Sequence, residues 1–385
     1  MNIRNWLRFM INYGKQTIDE EDIEAVVNVL RGDFLTTGPT IKKFEEAFAN
    51  KVGSKYAVAV ANGTAALHLA VLATGFKNGD RLITTPITFS ASANCAFYCG
   101  GKPNFLDITS NGLIDTALIE KSIKPEHKII IPVHYAGFVC DMQEISKIAK
   151  ENNLIIIEDA CHALGAKLGA ENVGSCRYSD MSVFSFHPVK HITTGEGGII
   201  TTNSKELYEK LLLLRTHGIT RNPELMSKND GPWYYEMVTL GYNYRITDFQ
   251  CALGLSQLKK IDDFVRKRRE IAKYYYDTLE SCKNFEMIYE VEPMKSSYHL
   301  FPILLKEEMW SKKVKIFDLM AKQGINFQVH YIPVYSMPFY RSQGYNQNYP
   351  NAERFYQSEI SIPMYPSLSQ EQLDFIAKNI KEIIG

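Results

Sequence analysis

Lys190 stands in the run FSFHPVKHITTGEGG (184–198), between a strand-like apolar segment and a cluster of glycines, an odd setting for a solvated surface charge. A lysine held in such a place loses water, and desolvation lowers the ammonium pKa until the amine can act as nucleophile and base. Ser185 offers a hydroxyl in the strand-like segment MSVFSF (181–186) just before it. His187 and His191 flank the lysine at a spacing that suits metal ligands on one helix face. Pro188 and the hydroxyl residues that follow argue against a helix, so no metal is assigned to them. Asp159 closes the apolar run LIIIED (154–159), where the carboxyl end of a parallel strand faces the ligand crevice. Burying a carboxylate unpaired is costly, so it either caps the following turn or pairs with a cation or a protonated ring nitrogen. NGTAAL (62–67) reads as a strand-to-helix junction. Gly63 lets backbone approach closely, Thr64 brings a hydroxyl, and the first-turn amides, Ala65 included, suit a phosphate, although helix capping alone accounts for the same residues. No GK[ST] follows, so this is not a P-loop.

One cofactor uses all of these parts. Pyridoxal 5′-phosphate needs a lysine amine, a carboxylate against its ring nitrogen, and donors for its phosphate. An aromatic ring stacked on the pyridine completes the set. Phe89 in TTPITFSASAN (84–94) is the candidate, with an ordinary core position as the alternative.

These residues need a scaffold that gathers strand ends. From Tyr56 onwards, β-rich runs alternate with helix-like segments: YAVAV, RLITTP, KPNFLDI, KIIIPVHY, LIIIED, MSVFSF and GGIITT. Continuous apolar runs indicate strands covered on both faces, and the alternation implies an α/β fold with a mostly parallel sheet. The pattern changes after Gly254. Residues 255–282 read as one long amphipathic helix, followed by YHLFPILL, KIFDLMAKQGI, the β-like FQVHYI (327–332) and a final helix from Gln370. The expected division is an N-terminal arm (1–12), a large domain (13–255) and a smaller C-terminal α+β domain (256–385).

Composition limits the partners. The 385-residue chain carries 43 basic and 43 acidic residues, and a balanced charge argues against nucleic acid, whose phosphates call for a basic surface. The seven cysteines form no second close pair to complete a zinc site with Cys95 and Cys99, and read as free thiols in a reducing cytoplasm. No apolar run reaches the roughly 18 residues of a membrane span, and the first residues lack the core of a secretory signal.

The segments EDACHALGA (158–166), SVFSFHPVKHITTGEGG (182–198) and LGYNYRITDFQCALGLSQL (240–258) resemble the signature stretches of the DegT/DnrJ/StrS-type sugar aminotransferases, in the same order. The resemblance runs from about Tyr13 to the C-terminus. It implies a fold-type I pyridoxal phosphate enzyme, with a mostly parallel seven-stranded sheet and a smaller C-terminal domain. Lys190 falls on the lysine that carries the cofactor covalently, Asp159 on the ring-nitrogen carboxylate, and His162 on the position that contacts the ring hydroxyl. Gly63, Thr64, Ala65 and Ser185 fall on the phosphate site and Phe89 on the stacking aromatic. Asn243 falls on an asparagine that reaches the phosphate from a second subunit, which implies a homodimer with shared sites. Tyr13, Asp33, Phe34, Leu35, Thr36, His330 and Tyr331 fall on positions that contact the sugar nucleotide. The phosphate turn reads NGTAA where related sequences often read NSATSA, yet Gly63 still offers an amide. Some members carry histidine at the lysine position and are dehydratases, so Lys190 implies transamination. FSFHPVKHITT, RTHGI (215–219), GYNYRITD and QVHYIPVY (328–335) are similar to members that move an amino group from L-glutamate to C4 of a UDP-linked 4-keto-6-deoxy-N-acetyl sugar, giving UDP-4-amino-4,6-dideoxy-N-acetyl-β-L-altrosamine. A perosamine- or bacillosamine-type aminotransferase, or a non-enzymatic regulator on the same fold, is the alternative.

Overall fold

The computed structural model describes residues 10–385, so most of the expected N-terminal arm lies outside the described residues. Seven strands form the main sheet: β1 (Tyr56–Val60), β2 (Arg81–Thr84), β3 (Lys102–Phe105), β4 (His127–Ile131), β5 (Ile155–Asp159), β6 (Met181–Ser185) and β7 (Gly198–Thr202). Their order is β1-β7-β6-β5-β4-β2-β3. Neighbours from β6 to β3 are parallel, while β7 runs antiparallel to both β6 and β1. The β6–β7 connection (186–197) carries no crossover helix, and without one the returning strand must pair antiparallel. That loop holds Lys190 and is thereby pinned at both ends to the sheet.

Helices α1 (Glu20–Leu30), α2 (Pro39–Val52), α3 (Gly63–Ala73), α4 (Ala91–Tyr98), α5 (Thr116–Ser122), α6 (Met142–Glu151), α7 (Lys205–Arg215), α8 (Asp248–Lys259) and α9 (Ile261–Leu279) surround and follow this sheet. One buried apolar cluster lies under α3, α4 and α7; a larger one runs from the opposite side of the sheet into the C-terminal part. The C-terminal part contains an antiparallel sheet of β8 (Phe285–Met287), β9 (Phe301–Leu305) and β10 (Glu359–Ile362), with helices α10 (Lys313–Lys322), α11 (Pro338–Ser342), α12 (Pro350–Ser358) and α13 (Gln370–Ile383). Among the described residues no helix is long and apolar enough to cross a membrane.

Two sequence expectations fail here. The single helix expected over 255–282 is two helices that break at Lys260. No Gly or Pro marks the break. Lys260 is instead drawn to Asp19 (2.5 Å) and Asp22 (3.0 Å), while α8 packs on α1 and α2 and α9 packs on α13. The β-like run 327–332 is not a strand: Gln328 alone bridges to Ser361. The amide of His330 donates to the Glu359 side chain at 2.8 Å instead of continuing a backbone ladder. The start of the described chain leans on the C-terminal part as well. Ile11 exchanges hydrogen bonds with Gly324 and Asn326, both at 2.8 Å, and the Tyr13 carbonyl accepts from Met364 N–H at 2.9 Å.

Candidate active site

Register brings the sequence candidates together at one edge of the sheet. Asp159 pairs with Val183 across β5 and β6, and Ser185 pairs with Gly198 across β6 and β7. Gly198 also pairs with Val60 at the end of β1. A Cβ on Gly198 would lie 2.5 Å from the Asn62 carbonyl oxygen, so glycine there lets the β1–α3 turn settle against the end of β6. Gly63 completes the approach: a Cβ on it would come within 2.9 Å of the Ser185 Cβ.

Asp159 is 6% exposed, and both its oxygens are engaged. Oδ2 accepts from the Ser92 hydroxyl at 2.5 Å and Oδ1 from Cys161 N–H at 3.2 Å. The carboxylate therefore caps the turn after β5 with one oxygen, as the sequence allowed, and holds the start of α4 with the other through a neutral hydroxyl rather than a cation. Thr88 supports Ser92 at 2.7 Å between their hydroxyl oxygens. Ser92, Thr88 and Cys161 were not singled out in the sequence. Hydroxyl residues at a helix start, directly after a strand of the same sheet, were the available signal.

Lys190 sits in a turn, its amide donating to the His187 carbonyl at 2.8 Å, and is half-buried. Burial lowers its ammonium pKa from the ordinary value, and nearby Cys161 and Asp159 oppose that shift. Its Nζ makes no ion pair or hydrogen bond among the described residues. His187 is exposed, whereas His191 is buried and donates from Nε2 to the Ser297 carbonyl at 3.2 Å, so the two imidazoles do not share a site.

His162 is buried, and the Ala136 amide donates to its Nδ1 at 3.3 Å. A ring nitrogen that accepts from an amide carries no proton, so the hydrogen resides on Nε2, which faces the Tyr331 hydroxyl at 3.0 Å. Burial, with the charge of Lys190 nearby, holds this imidazole well below its usual pKa and neutral. The His299 ring lies 4.3 Å away, centroid to centroid.

At the other end of Lys190, Asn62 caps α3 by accepting Ala65 N–H at 2.8 Å. The Ala65 amide is thus already engaged, and the amides of Gly63 and Thr64 have no partner among the described residues. Phe89 is 61% exposed, with its ring 6.4 Å from that of Tyr331, so it is not a core residue. Tyr13 stands with its ring 5.2 Å from His330. The remaining candidates are elsewhere. Asp33, Phe34, Leu35 and Thr36 form an exposed loop tied to α8 through Asp248 N–H and the Leu35 carbonyl (2.9 Å). Asn243 lies exposed beside Thr216. Neither group shares a hydrogen bond with the Lys190 cluster.

The donor set fits pyridoxal phosphate. A half-buried amine without a protein partner, a buried carboxylate one strand away, and a hydroxyl with two free helix amides match the aldehyde, ring nitrogen and phosphate of that molecule. The glycine at 63 leaves the cradle that a Cβ would fill.

Comparison with known proteins agrees. The model of the DegT/DnrJ/EryC1/StrS aminotransferase family matches residues 16–381. A UDP-4-amino-4,6-dideoxy-N-acetyl-beta-L-altrosamine transaminase of Campylobacter jejuni is 40% identical over 97% of this chain and 98% of its own. The solved structure of Helicobacter pylori PseC, an aminotransferase of pseudaminic acid biosynthesis, superposes with a TM-score of 0.92 at 35% identity, covering 97% of this chain and 99% of that one. The PLP form of the sugar aminotransferase Spr1654 from Streptococcus pneumoniae superposes at 0.90 with 30% identity over 97% and 98% of the two chains.

Proposed function

The chain belongs to the DegT/DnrJ/EryC1/StrS aminotransferase family and is a pyridoxal phosphate-dependent sugar aminotransferase; from that premise we propose that it transfers the amino group of L-glutamate to C4 of a UDP-linked 4-keto-6-deoxy-N-acetylhexose. The product is UDP-4-amino-4,6-dideoxy-N-acetyl-β-L-altrosamine, a precursor of pseudaminic acid. The observation that carries this reading is the partnerless Lys190 amine beside the carboxylate of Asp159, in a chain 40% identical to a transaminase named for that product.

Lys190, Asp159, His162, Ser185, Gly63 and Thr64 would hold the cofactor, with Phe89 against its ring and Asn243 of a second copy against its phosphate. When bound, the cofactor supplies an electron sink for the carbon that loses its proton. The Lys190 Nζ, whose neutral form burial favours, takes the proton from Cα of the amino donor. Asp159 keeps its carboxylate in place through Ser92 and Cys161, ready to pair with a protonated ring nitrogen. Neutral His162, donating through Nε2, leaves the Tyr331 hydroxyl hydrogen free to turn to the bound molecules. Tyr13, His330, Tyr331 and the exposed Asp33–Thr36 loop are assigned to the sugar nucleotide, the loop acting across a homodimer. Exposed Phe34 and Leu35 support such an association.

Product analysis by NMR tests the substrate. Incubation with L-glutamate and the UDP-linked 4-keto-β-L-arabino sugar should give the 4-amino-β-L-altro product. Turnover restricted to GDP-linked 4-keto sugars would replace this reading with a perosamine-type one.

A further inference from the structure

The backbone amide and the ring of His330 both lead to one buried carboxylate. Its N–H donates to Glu359 Oε2 at 2.8 Å, and its Nδ1 lies 2.8 Å from the Ser361 hydroxyl. That hydroxyl in turn donates to Glu359 Oε1 at 2.5 Å. Glu359 and Ser361 belong to β10 and are fully buried. Ser361 has a single hydrogen. With that hydrogen given to Glu359, its oxygen can only accept from the imidazole, so Nδ1 must be the protonated nitrogen. Nε2 is left as an acceptor. It has no hydrogen-bond partner among the described residues and, unlike Nδ1 of His299, is not sealed from solvent.

We propose that Glu359 and Ser361 are positioning residues that hold His330 as its Nδ1–H tautomer, so that Nε2 presents a hydrogen-bond acceptor to a hydroxyl or N–H of the sugar. This rests on the assignment of His330 to the sugar side of the cleft. The same chain carries one proton inward. A proton arriving at Nε2 lets Nδ1 pass its hydrogen to Ser361, and Ser361 passes its own to Glu359. One proton enters and one is bound, and His330 emerges as the Nε2–H tautomer, now a donor to the cleft.

The surroundings put this exchange in the working pH range. Burial raises the Glu359 carboxyl from its ordinary value to about 7, opposed by the Ser361 hydroxyl, the His330 amide and the Lys313 ammonium on α10. Burial lowers Lys313, whose amine donates to the Tyr356 carbonyl at 2.6 Å. The Tyr135 phenol, which Glu359 also faces, is kept protonated by burial. Burial and the charge of Lys190 hold His330 itself far below its usual pKa, so it stays neutral while the tautomer changes. At high pH Glu359 is ionised and Nε2 accepts. As pH falls through the Glu359 pKa, Nε2 becomes a donor, and a sugar donor group meets the wrong partner.

The test is 15N NMR of the histidine side chains in the holoprotein, with His330→Gln used to assign the signal. At pH 8 the wild type should show protonated Nδ1 and unprotonated Nε2, exchanging as pH falls to 6. Glu359→Gln turns its amide N–H toward Ser361, frees the serine hydrogen for Nδ1, and should show Nε2–H across the whole range. An Nε2–H tautomer in the wild type at pH 8 overturns the proposal, and so does an Nδ1–H tautomer unmoved in Glu359→Gln. This readout needs no sugar, so it stands or falls separately from the substrate assignment. In turnover, Ser361→Ala should raise the KM for the sugar nucleotide about tenfold, a greater change than in kcat. It should also remove the fall in sugar kcat/KM between pH 8 and 6. A wild-type pH profile retained in Ser361→Ala contradicts the relay.

Discussion

The two groups of candidate residues, one around the strand ends and one on the surface, are built on different principles. Around Lys190 the framing side chains stand at the ends of adjacent strands or in the loops just after them and are held by protein partners, while the lysine amine itself is left open: Asp159 has two partners, and His162 has both nitrogens engaged. The loops assigned to the sugar nucleotide and the second subunit are the reverse. Phe34 and Leu35 are about half exposed, and Asn243 lies on the surface with no side-chain partner among the described residues. Chemistry at a fixed ring calls for a preorganised frame, whereas loops that recognise a variable sugar complete their contacts with a ligand or another chain. His330 joins the two, with its backbone and Nδ1 locked to β10 and its Nε2 open.

The difference can be broken most severely at the lysine. Lys190→Ala should lower kcat by about 10³-fold or more through loss of the proton-moving amine, measured with saturating L-glutamate and keto sugar. Asp159→Asn keeps the shape and removes the charge. A drop of about 10²-fold is expected in the glutamate half-reaction, followed by absorbance of the bound cofactor. Ser92→Ala leaves the carboxylate charged but loosens Oδ2, and should cost about tenfold in the same assay. If Ser92→Ala matches Asp159→Asn, orientation rather than charge is what that carboxylate supplies.

The surface group is sharpened by subunit mixing. Asn243→Ala should weaken cofactor binding about tenfold. Mixing it with inactive Lys190→Ala should restore activity, because a heterodimer then contains one site with both native residues. No gain on mixing contradicts shared sites. The smallest effect belongs to the helix break. Lys260→Ala should lower stability by about 1 kcal/mol, a few degrees or less in Tm, with kcat unchanged.

Much of the rigid group was legible because its residues come in contiguous runs. LIIIED placed Asp159 at a strand end, and FSFHPVKHITTGEGG placed Lys190 in the loop that follows Ser185. What escaped were partners distant in sequence. Ser92 lies 67 residues from Asp159, and no local pattern ties a helix-start serine to that carboxylate. The Ala65 amide was offered to a phosphate, but Asn62 takes it, which only the cap geometry reveals. The break at Lys260 escaped for a similar reason: charge and apolar spacing continue through it, and the aspartates that hold Lys260 there, Asp19 and Asp22, lie at the distant start of α1. FQVHYI has the composition of a strand, yet a side-chain carboxylate takes the amide that a ladder would use.

Lys190 is proposed both to hold the cofactor and to perform the proton transfer. Borohydride reduction of the holoprotein, followed by peptide mass spectrometry, addresses this assignment directly. The reduced cofactor is expected on Lys190, within FSFHPVKHITTGEGG, with no label after prior exposure to L-glutamate. A label on another lysine, or none on untreated holoprotein, would contradict it.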